Sequence, residues 1–351
     1  MTRRSRGRRA GCQVALGLLV CLNAACGGPD RSADADRDPS PTSGAPVSTT
    51  TTPGPCTLPV GTTRGVLGEA TLTSGGLERN LLEYVPPSDA PSMQRFPLII
   101  DLHGYAENRT LHAQHTDLVR TAGEHGFVYL VPEGTGTPAY WNSVGRPTGP
   151  DDVGFVADLI DRAVADRCVD PSRVYVVGMS NGAMLASQVA CRLSTKVAAI
   201  AAVAGLDRPP GCEPRRPVPV IAFHGGDDGY VLPGGGFGDD AMAQPLLGER
   251  LTDDTGRGPP AVRTAAEEWA AGNGCDPAPT GSEPVAGVQL LSWTGCRGGA
   301  EVQLYLTPHT GHVWPGSQLE HAFSALTGAP NDLIDANELL WAFAELHGST
   351  G

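Results

Sequence analysis

The side chain best suited to covalent chemistry is Ser180, in Val176-Val177-Gly178-Met179-Ser180-Asn181-Gly182-Ala183-Met184. A serine hydroxyl is a weak nucleophile until a base, an orienting acid and donors for a developing oxyanion surround it. The apolar run 173–177 reads as a buried strand and 183–193 as a helix, so Gly-x-Ser-x-Gly falls on a strand-to-helix turn. Such a turn strains the serine backbone, lifts Oγ above the sheet edge and points a helix N-terminus at it. Gly178 and Gly182 leave room where a Cβ would collide. The bare pentapeptide also occurs in ordinary turns; the strand before it and the helix after it make Ser180 the expected nucleophile. The chemistry implied is acyl transfer through a covalent serine intermediate.

After an elbow of this kind the acid comes next in the chain and the base last. Of the nine histidines, those at 103, 112, 115 and 125 precede Ser180 and are disfavoured as the base. His312 stands out in Thr310-Gly311-His312-Val313-Trp314-Pro315, a Gly/Pro-punctuated loop just after a strand, with His309 as runner-up in the same loop. His347 ends a helix and reads as surface. His321 begins or precedes a helix, and His224 closes a strand and shapes the next loop. The strand 218–223 runs into His224-Gly225-Gly226-Asp227-Asp228, where either aspartate could orient the base and the other is a solvated loop residue. For the oxyanion, Asn181 offers the N–H after the nucleophile. His103-Gly104-Tyr105, following the strand 96–102, offers a second from Tyr105, unless it is a plain glycine turn.

These residues need a scaffold, and from Cys56 onward strand and helix patterns alternate. Strands are expected at 80–85, 96–102, 127–131, 173–177, 197–203, 218–223, 288–293 and 302–306. Helices are expected at 112–125, 153–168, 183–193, 261–271 and 334–346. The alternation predicts an α/β domain over 56–351, with a mostly parallel sheet and helices on both faces. The Gly-, Asp- and Pro-rich stretch 229–260 reads as a surface excursion near the site. Six cysteines follow Cys26, an even number that predicts three disulfides in an exported chain. Fifteen pairings are possible. Cys191–Cys212 and Cys275–Cys296 are favoured because each pair brackets a short strand-containing segment, and Cys56–Cys168 follows by elimination. No CxxC-type spacing points to zinc, and no metal is expected.

The chain has 351 residues, 40% of them hydrophobic, enough for a sizeable core. Formal net charge is −13, although the first 25 residues carry five arginines and no acid. The remainder is therefore more acidic still and repels phosphate backbones, which excludes nucleic acid as the expected partner. No run of 18 apolar residues suited to an ordinary membrane span exists. Residues 1–26 read as an export signal: arginines, an apolar run at 14–22, then small residues. Asn23-Ala24-Ala25-Cys26 resembles a bacterial lipobox with Asn23 in the slot usually held by leucine, which makes Cys26 a candidate for lipidation. A plain secreted protein cut nearby is the alternative. Residues 27–55 lack large apolar side chains and read as a disordered tether.

The chain resembles the secreted esterases grouped with polyhydroxybutyrate depolymerases and feruloyl esterases. The matching stretches are Leu102-His103-Gly104, Tyr140-Trp141-Asn142, Asp151-Asp152-Val153-Gly154-Phe155, Asp170-Pro171-Ser172-Arg173-Val174-Tyr175, 178–184, His224-Gly225-Gly226-Asp227-Asp228, Asn273-Gly274-Cys275 and Gly311-His312-Val313-Trp314-Pro315. They run in the family's order over roughly residues 80–347. The resemblance implies an α/β-hydrolase fold and an exported carboxylic ester hydrolase acting through Ser180, His312 and an aspartate. Its acid lies four residues after the strand-end histidine, hence Asp228; the family usually has Thr at Gly226 and a small residue at Asp227. It implies no cofactor and an ester of small or oligomeric form as the partner. Asp152 would brace the site, and Tyr140, Trp141 and Trp314 are candidate walls of the substrate pocket.

Enzymes of this resemblance that erode solid polyester commonly add a surface-binding domain after the catalytic body. Here only 347–351 follow the last expected helix, so a soluble short-chain acyl or feruloyl-type ester is expected. A polyester depolymerase, an inactive surface-binding relative and a peptidase with the same triad are the alternatives; the intact Ser, Asp, His and Gly set argues against inactivity. The expected location is extracellular, either free or held on the outer face of the cell membrane by lipid on Cys26. Cys26→Ala is expected to release the protein into the medium or block its processing. Mass spectrometry of the mature N-terminus checks this, and a first residue beyond 26 would end the lipoprotein reading.

Overall fold

The computed structural model describes residues 56–87, 95–239, 250–252, 256 and 258–348. The expected export signal, lipobox and tether lie outside these residues. Ten strands form one sheet: β1 (Gly68–Ser74), β2 (Leu77–Tyr84), β3 (Phe96–Leu102), β4 (Val128–Pro132), β5 (Val169–Met179), β6 (Ala199–Val203), β7 (Val220–Gly225), β8 (Thr280–Val285), β9 (Val288–Trp293) and β10 (Val302–Thr307). Their order is β1-β2-β4-β3-β5-β6-β7-β10-β9-β8. The six strands from β4 to β10 run parallel. Antiparallel strands extend the sheet on both flanks. This is the expected mostly parallel α/β sheet. The edge strands β1 and β8 are additions to the expected set; their alternating or fully exposed side chains carry no apolar run.

The parallel strands are apolar on both faces because helices cover both. Alternate residues point to opposite sides. Leu98, Ile100 and Leu102 of β3 pack in one cluster with α3 (Asp152–Asp166), α4 (Asn181–Arg192) and α5 (Val262–Asn273). Ile99 packs in the other with α1 (Arg109–Thr116), α2 (Leu118–His125) and α7 (Ala336–Leu346). The expected single helix 112–125 is in fact two. Asp117 sits in the left-handed region at φ 51°, ending α1 and starting α2. A further helix, α6 (Glu320–Thr327), falls where only His321 was expected to mark a start. Among the described residues no helix is long and apolar enough to cross a membrane. All three expected disulfides, Cys56–Cys168, Cys191–Cys212 and Cys275–Cys296, are present.

The crossing of α4 over β3 positions the site. A Cβ on Gly182 would lie 2.6 Å from the Leu102 carbonyl carbon and 2.7 Å from the His103 carbonyl oxygen. One on Gly178 would lie 2.5 Å from the Gly182 carbonyl carbon. These neighbours are backbone and cannot rotate away, so only glycine lets the turn after β5 approach the end of β3. Gly182→Ala is therefore expected to lower unfolding free energy by about 1–3 kcal/mol, the usual cost of overpacking. Urea titration of the purified variant checks this; wild-type stability would mean that α4 can slide away.

Candidate active site

Ser180 directly follows β5 and caps α4 with φ 55° and ψ −118°. Positive φ on a non-glycine residue costs on the order of 1–3 kcal/mol and persists only where its surroundings enforce it. Here the Ser180 N–H donates to the Val203 carbonyl at 2.8 Å, tying the turn to the end of β6. The next residue, Asn181, is the first of α4, where an N–H has no intrahelical acceptor. Its buried side chain locks the neighbouring loop. Asn181 Oδ1 accepts from the Trp141 N–H at 2.7 Å, while Nδ2 donates to the Trp141 carbonyl at 3.1 Å and to Ser143 Oγ at 2.8 Å.

His312 lies in the loop after β10 with Nδ1 2.8 Å from Asp228 Oδ2. Asp228 Oδ1 accepts from the N–H groups of Tyr230 and Val231 at 2.8 and 2.9 Å, so the loop after β7 is wound around this carboxylate. Burial pushes the Asp228 carboxyl up, but the adjacent His312 outweighs that and leaves it below its ordinary value. An ionised Asp228 accepts the Nδ1–H of His312 and leaves Nε2 as the lone-pair nitrogen. His224 Nε2 donates to the Val231 carbonyl at 2.9 Å and is 3.6 Å from Asp228 Oδ2. It thus shapes the acid loop, as its strand-end position predicts. The runner-up pair is different: His309 Nδ1 is 3.4 Å from Asp227 Oδ2, with side chains 90% and 67% exposed. His347 caps α7 and meets Glu301 at 3.7 Å, its side chain only 9% exposed rather than on the surface.

Ser180, His312 and Tyr105 border one cavity of about 270 Å³. Leu111, Phe237, Leu251, Leu319, Phe323 and Leu326 supply apolar wall. The excursion 229–260 reaches the site through Tyr230, whose ring centroid is 5.1 Å from that of His312, and through Val231, Phe237 and Leu251. Trp141 and Trp314 do not wall this cavity, contrary to expectation. Both are buried, and each indole N–H has an internal acceptor: Trp141 Nε1 donates to the His103 carbonyl and Trp314 Nε1 to Asn337 Oδ1, both at 2.9 Å. They brace the 103–105 turn and the 312–315 loop from behind. Tyr140 does not line the cavity either: half-buried, it packs with Tyr105, Tyr230 and Phe237 around Leu251, under the Arg250 guanidinium. Asp152 braces as expected, accepting from the Asn142 N–H at 2.8 Å and pairing with Arg79 at 2.9 Å. Burial is the main reason its carboxyl lies above the ordinary value.

The sequence reading missed the far wall. Leu319, Phe323 and Leu326 stand at or next to α6, and their spacing of four and three residues was the available signal. It also passed over His112 and His115, set aside as bases because they precede Ser180. His112 Nε2 is 2.8 Å from Asp101 and its Nδ1 3.0 Å from Glu107 Oε2. His115 Nδ1 is 3.1 Å from Glu107 Oε1 and its Nε2 2.5 Å from Glu320 Oε1. Burial opposes charge on both rings, yet the flanking carboxylates win and raise their pKa values to about 10 and about 9. Glu107, His112 and His115 offer ligand atoms within 4.8 Å of one another. Each of the four imidazole nitrogens already faces a carboxylate, so protons satisfy the cluster as it stands.

Residues 80–208 match the family described as Esterase PHB depolymerase. Feruloyl esterase B of Piromyces equi is 27% identical over 235 residues, covering 65% of this chain and 41% of that protein. The bifunctional acetylxylan esterase/xylanase XynS20E of Neocallimastix patriciarum is 29% identical over 153 residues, covering 44% and 22%. The chain thus spans less than half the length of either relative. An acetyl xylan esterase from Aspergillus awamori shares the fold, with a TM-score of 0.50 at 15% identity over 70% of this chain and 94% of that one. Over residues 80–208 the chain is thus similar to the polyhydroxybutyrate depolymerase and feruloyl esterase-like esterases, and it shares its α/β fold with the acetyl xylan esterase.

Proposed function

We propose that the protein is an exported serine esterase that cleaves soluble short-chain acyl or feruloyl-type esters. The observation that carries this reading is the buried His312–Asp228 hydrogen bond of 2.8 Å on the cavity that Ser180 also borders. His312 Nε2 takes the Ser180 proton as Oγ bonds to the ester carbonyl carbon. The carbonyl oxygen becomes an oxyanion facing the N–H groups of Tyr105 and Asn181. Collapse breaks the bond to the alcohol, which leaves with the proton from His312. Water then repeats the sequence on the acyl-enzyme, releasing the acid and restoring Ser180. Throughout, Asp228 holds Nδ1–H in place and stabilises the imidazolium. The feruloyl and acetylxylan esterases among the relatives support an ester substrate. The three disulfides support export, since such bonds persist in oxidising compartments. Attachment to a membrane through Cys26 belongs to the same proposal.

Ser180→Ala and His312→Ala are each expected to lower kcat by on the order of 10⁶, with the fold retained. Asp228→Asn is expected to cost about 10⁴, because the imidazole loses its correct tautomer. His309→Ala and Asp227→Asn should stay near wild type. Turnover of chromogenic acetyl and butyryl esters reads all five; wild-type-like activity in Ser180→Ala would end the nucleophile assignment.

The apolar cavity accommodates one short acyl or hydroxycinnamoyl group. Hydrolysis of a soluble butyryl or feruloyl ester should therefore exceed release from a polyhydroxybutyrate film at equal enzyme concentration. Efficient film clearing with negligible soluble-ester turnover would refute this preference in favour of a depolymerase.

A further inference from the structure

The only buried residue of α6 is a glutamate. A surface helix normally docks through an apolar stripe. Here Phe323 is half-buried, Leu326 is 65% exposed, and both border the cavity rather than the core. Glu320 makes the inward contacts. Its Oε1 accepts from His115 Nε2 at 2.5 Å and from the Trp314 N–H at 2.7 Å, two residues after His312. Its Oε2 accepts from Thr327 Oγ1 at the far end of the same helix at 3.0 Å. On the other side of His115, Glu107 Oε1 faces Nδ1 at 3.1 Å, and Glu107 Oε2 accepts from the Gly104 N–H at 3.0 Å. One chain of hydrogen bonds therefore runs from the turn that carries Tyr105, through Glu107, His115 and Glu320, to the loop that carries His312.

We infer that Glu320 and His115 form a charged latch that seats the α6 wall of the acyl pocket and sets the spacing between the 104–107 turn and the 312–314 loop. Both are positioning residues for acyl-group selectivity, and the inference rests on reading the cavity as an acyl pocket. The Thr327 carbonyl, which accepts from the His312 N–H at 2.6 Å, holds the last turn of α6, but without the latch its first turn has no apolar face to keep it in place, and Leu319 and Phe323 lose their fixed position over the cavity. An acetyl group fills little of about 270 Å³ and barely senses that wall, whereas a butyryl group reaches further along it. Misplacement of about 1 Å at such a wall is enough for a rate effect of up to about 100-fold.

The latch is pH-dependent. His115 faces Glu107 from the 104–107 turn, Glu320 from α6, and His112 one turn back on α1 with ring centroids 6.3 Å apart. Its imidazolium is favoured in the folded protein, with the pKa raised to about 9. The contribution is complete below the unfolded value of about 6.5 and is lost as pH rises through about 9. His112, raised to about 10, and Glu107, held well below the carboxylate range, keep their charges through that interval.

The test uses the full-length protein, wild type and Glu320→Gln. The ratio of kcat/KM for a butyryl ester to that for an acetyl ester is insensitive to the amount of active enzyme. It should fall at least fivefold in Glu320→Gln. In the wild type it should fall as pH rises through about 9, and in the variant it should be flat there. Hydrogen exchange of the amides of 320–327, corrected for intrinsic rates, reads the latch with no substrate at all. Exchange should speed up in the variant and, in the wild type, above about pH 9. An unchanged ratio or unchanged protection would overturn the latch. Loss of both ester activities and of fluorophosphonate labelling at Ser180 in the wild type would instead overturn the esterase reading, leaving the exchange result to decide the latch.

Discussion

Everything at this site depends on how closely two backbones approach. The turn after β5 comes so near the end of β3 that Gly182 has carbonyl groups of Leu102 and His103 where a Cβ would be. That contact fixes the N-terminus of α4 beside the 103–105 turn, so the two N–H groups proposed for the oxyanion share one rigid junction. The same junction leaves Ser180 at φ 55°, a conformation that isolated serine rejects. The strain is sustained by strands packed on both faces and by helices that cannot withdraw without opening the core. Preorganised donors need such a frame, because they help only if they need no rearrangement when charge develops.

Much of this was readable from residue order. Ser180, Asp228 and His312 each follow a central strand, and central strands are short apolar runs that declare themselves. Gly-x-Ser-x-Gly carries its own steric reason, and the cysteine spacing led to the observed pairs. What escaped was written in polar residues. The edge strand β8, Thr-Gly-Ser-Glu-Pro-Val, is exposed along its whole length and has no hydrophobic period to find. Helix α6 turns its apolar residues to the cavity and docks through a carboxylate, and no apolar pattern announces that carboxylate. The break at Asp117 depends on one left-handed residue inside a continuous helical pattern. Trp141 and Trp314 lie next to site residues in sequence, yet each indole found its acceptor inside the protein, which turned both into supports behind the site.

The polar interior divides into two systems with different logic. Around Asp228 one carboxylate collects two backbone N–H groups and one imidazole, leaving a single nitrogen of His312 uncommitted. Around Glu107 every imidazole nitrogen is committed, with Asp101, Glu107 and Glu320 enclosing His112 and His115. The first arrangement suits proton transfer and the second suits holding position. Residue order, which disfavoured these histidines as the base, gave no hint of this saturated cluster.

The Cys56–Cys168 bridge has a mechanical consequence. It joins the chain ahead of the first strands to the residue immediately before β5, the strand at the centre of the sheet. Traction applied from the N-terminal side of Cys56 passes through the bridge to Cys168. It therefore loads β5, which is clasped by parallel neighbours on both sides, as a shear across many hydrogen bonds at once. The edge strand β1, which traction would otherwise unzip one hydrogen bond at a time, lies inside the covalent loop and carries no load.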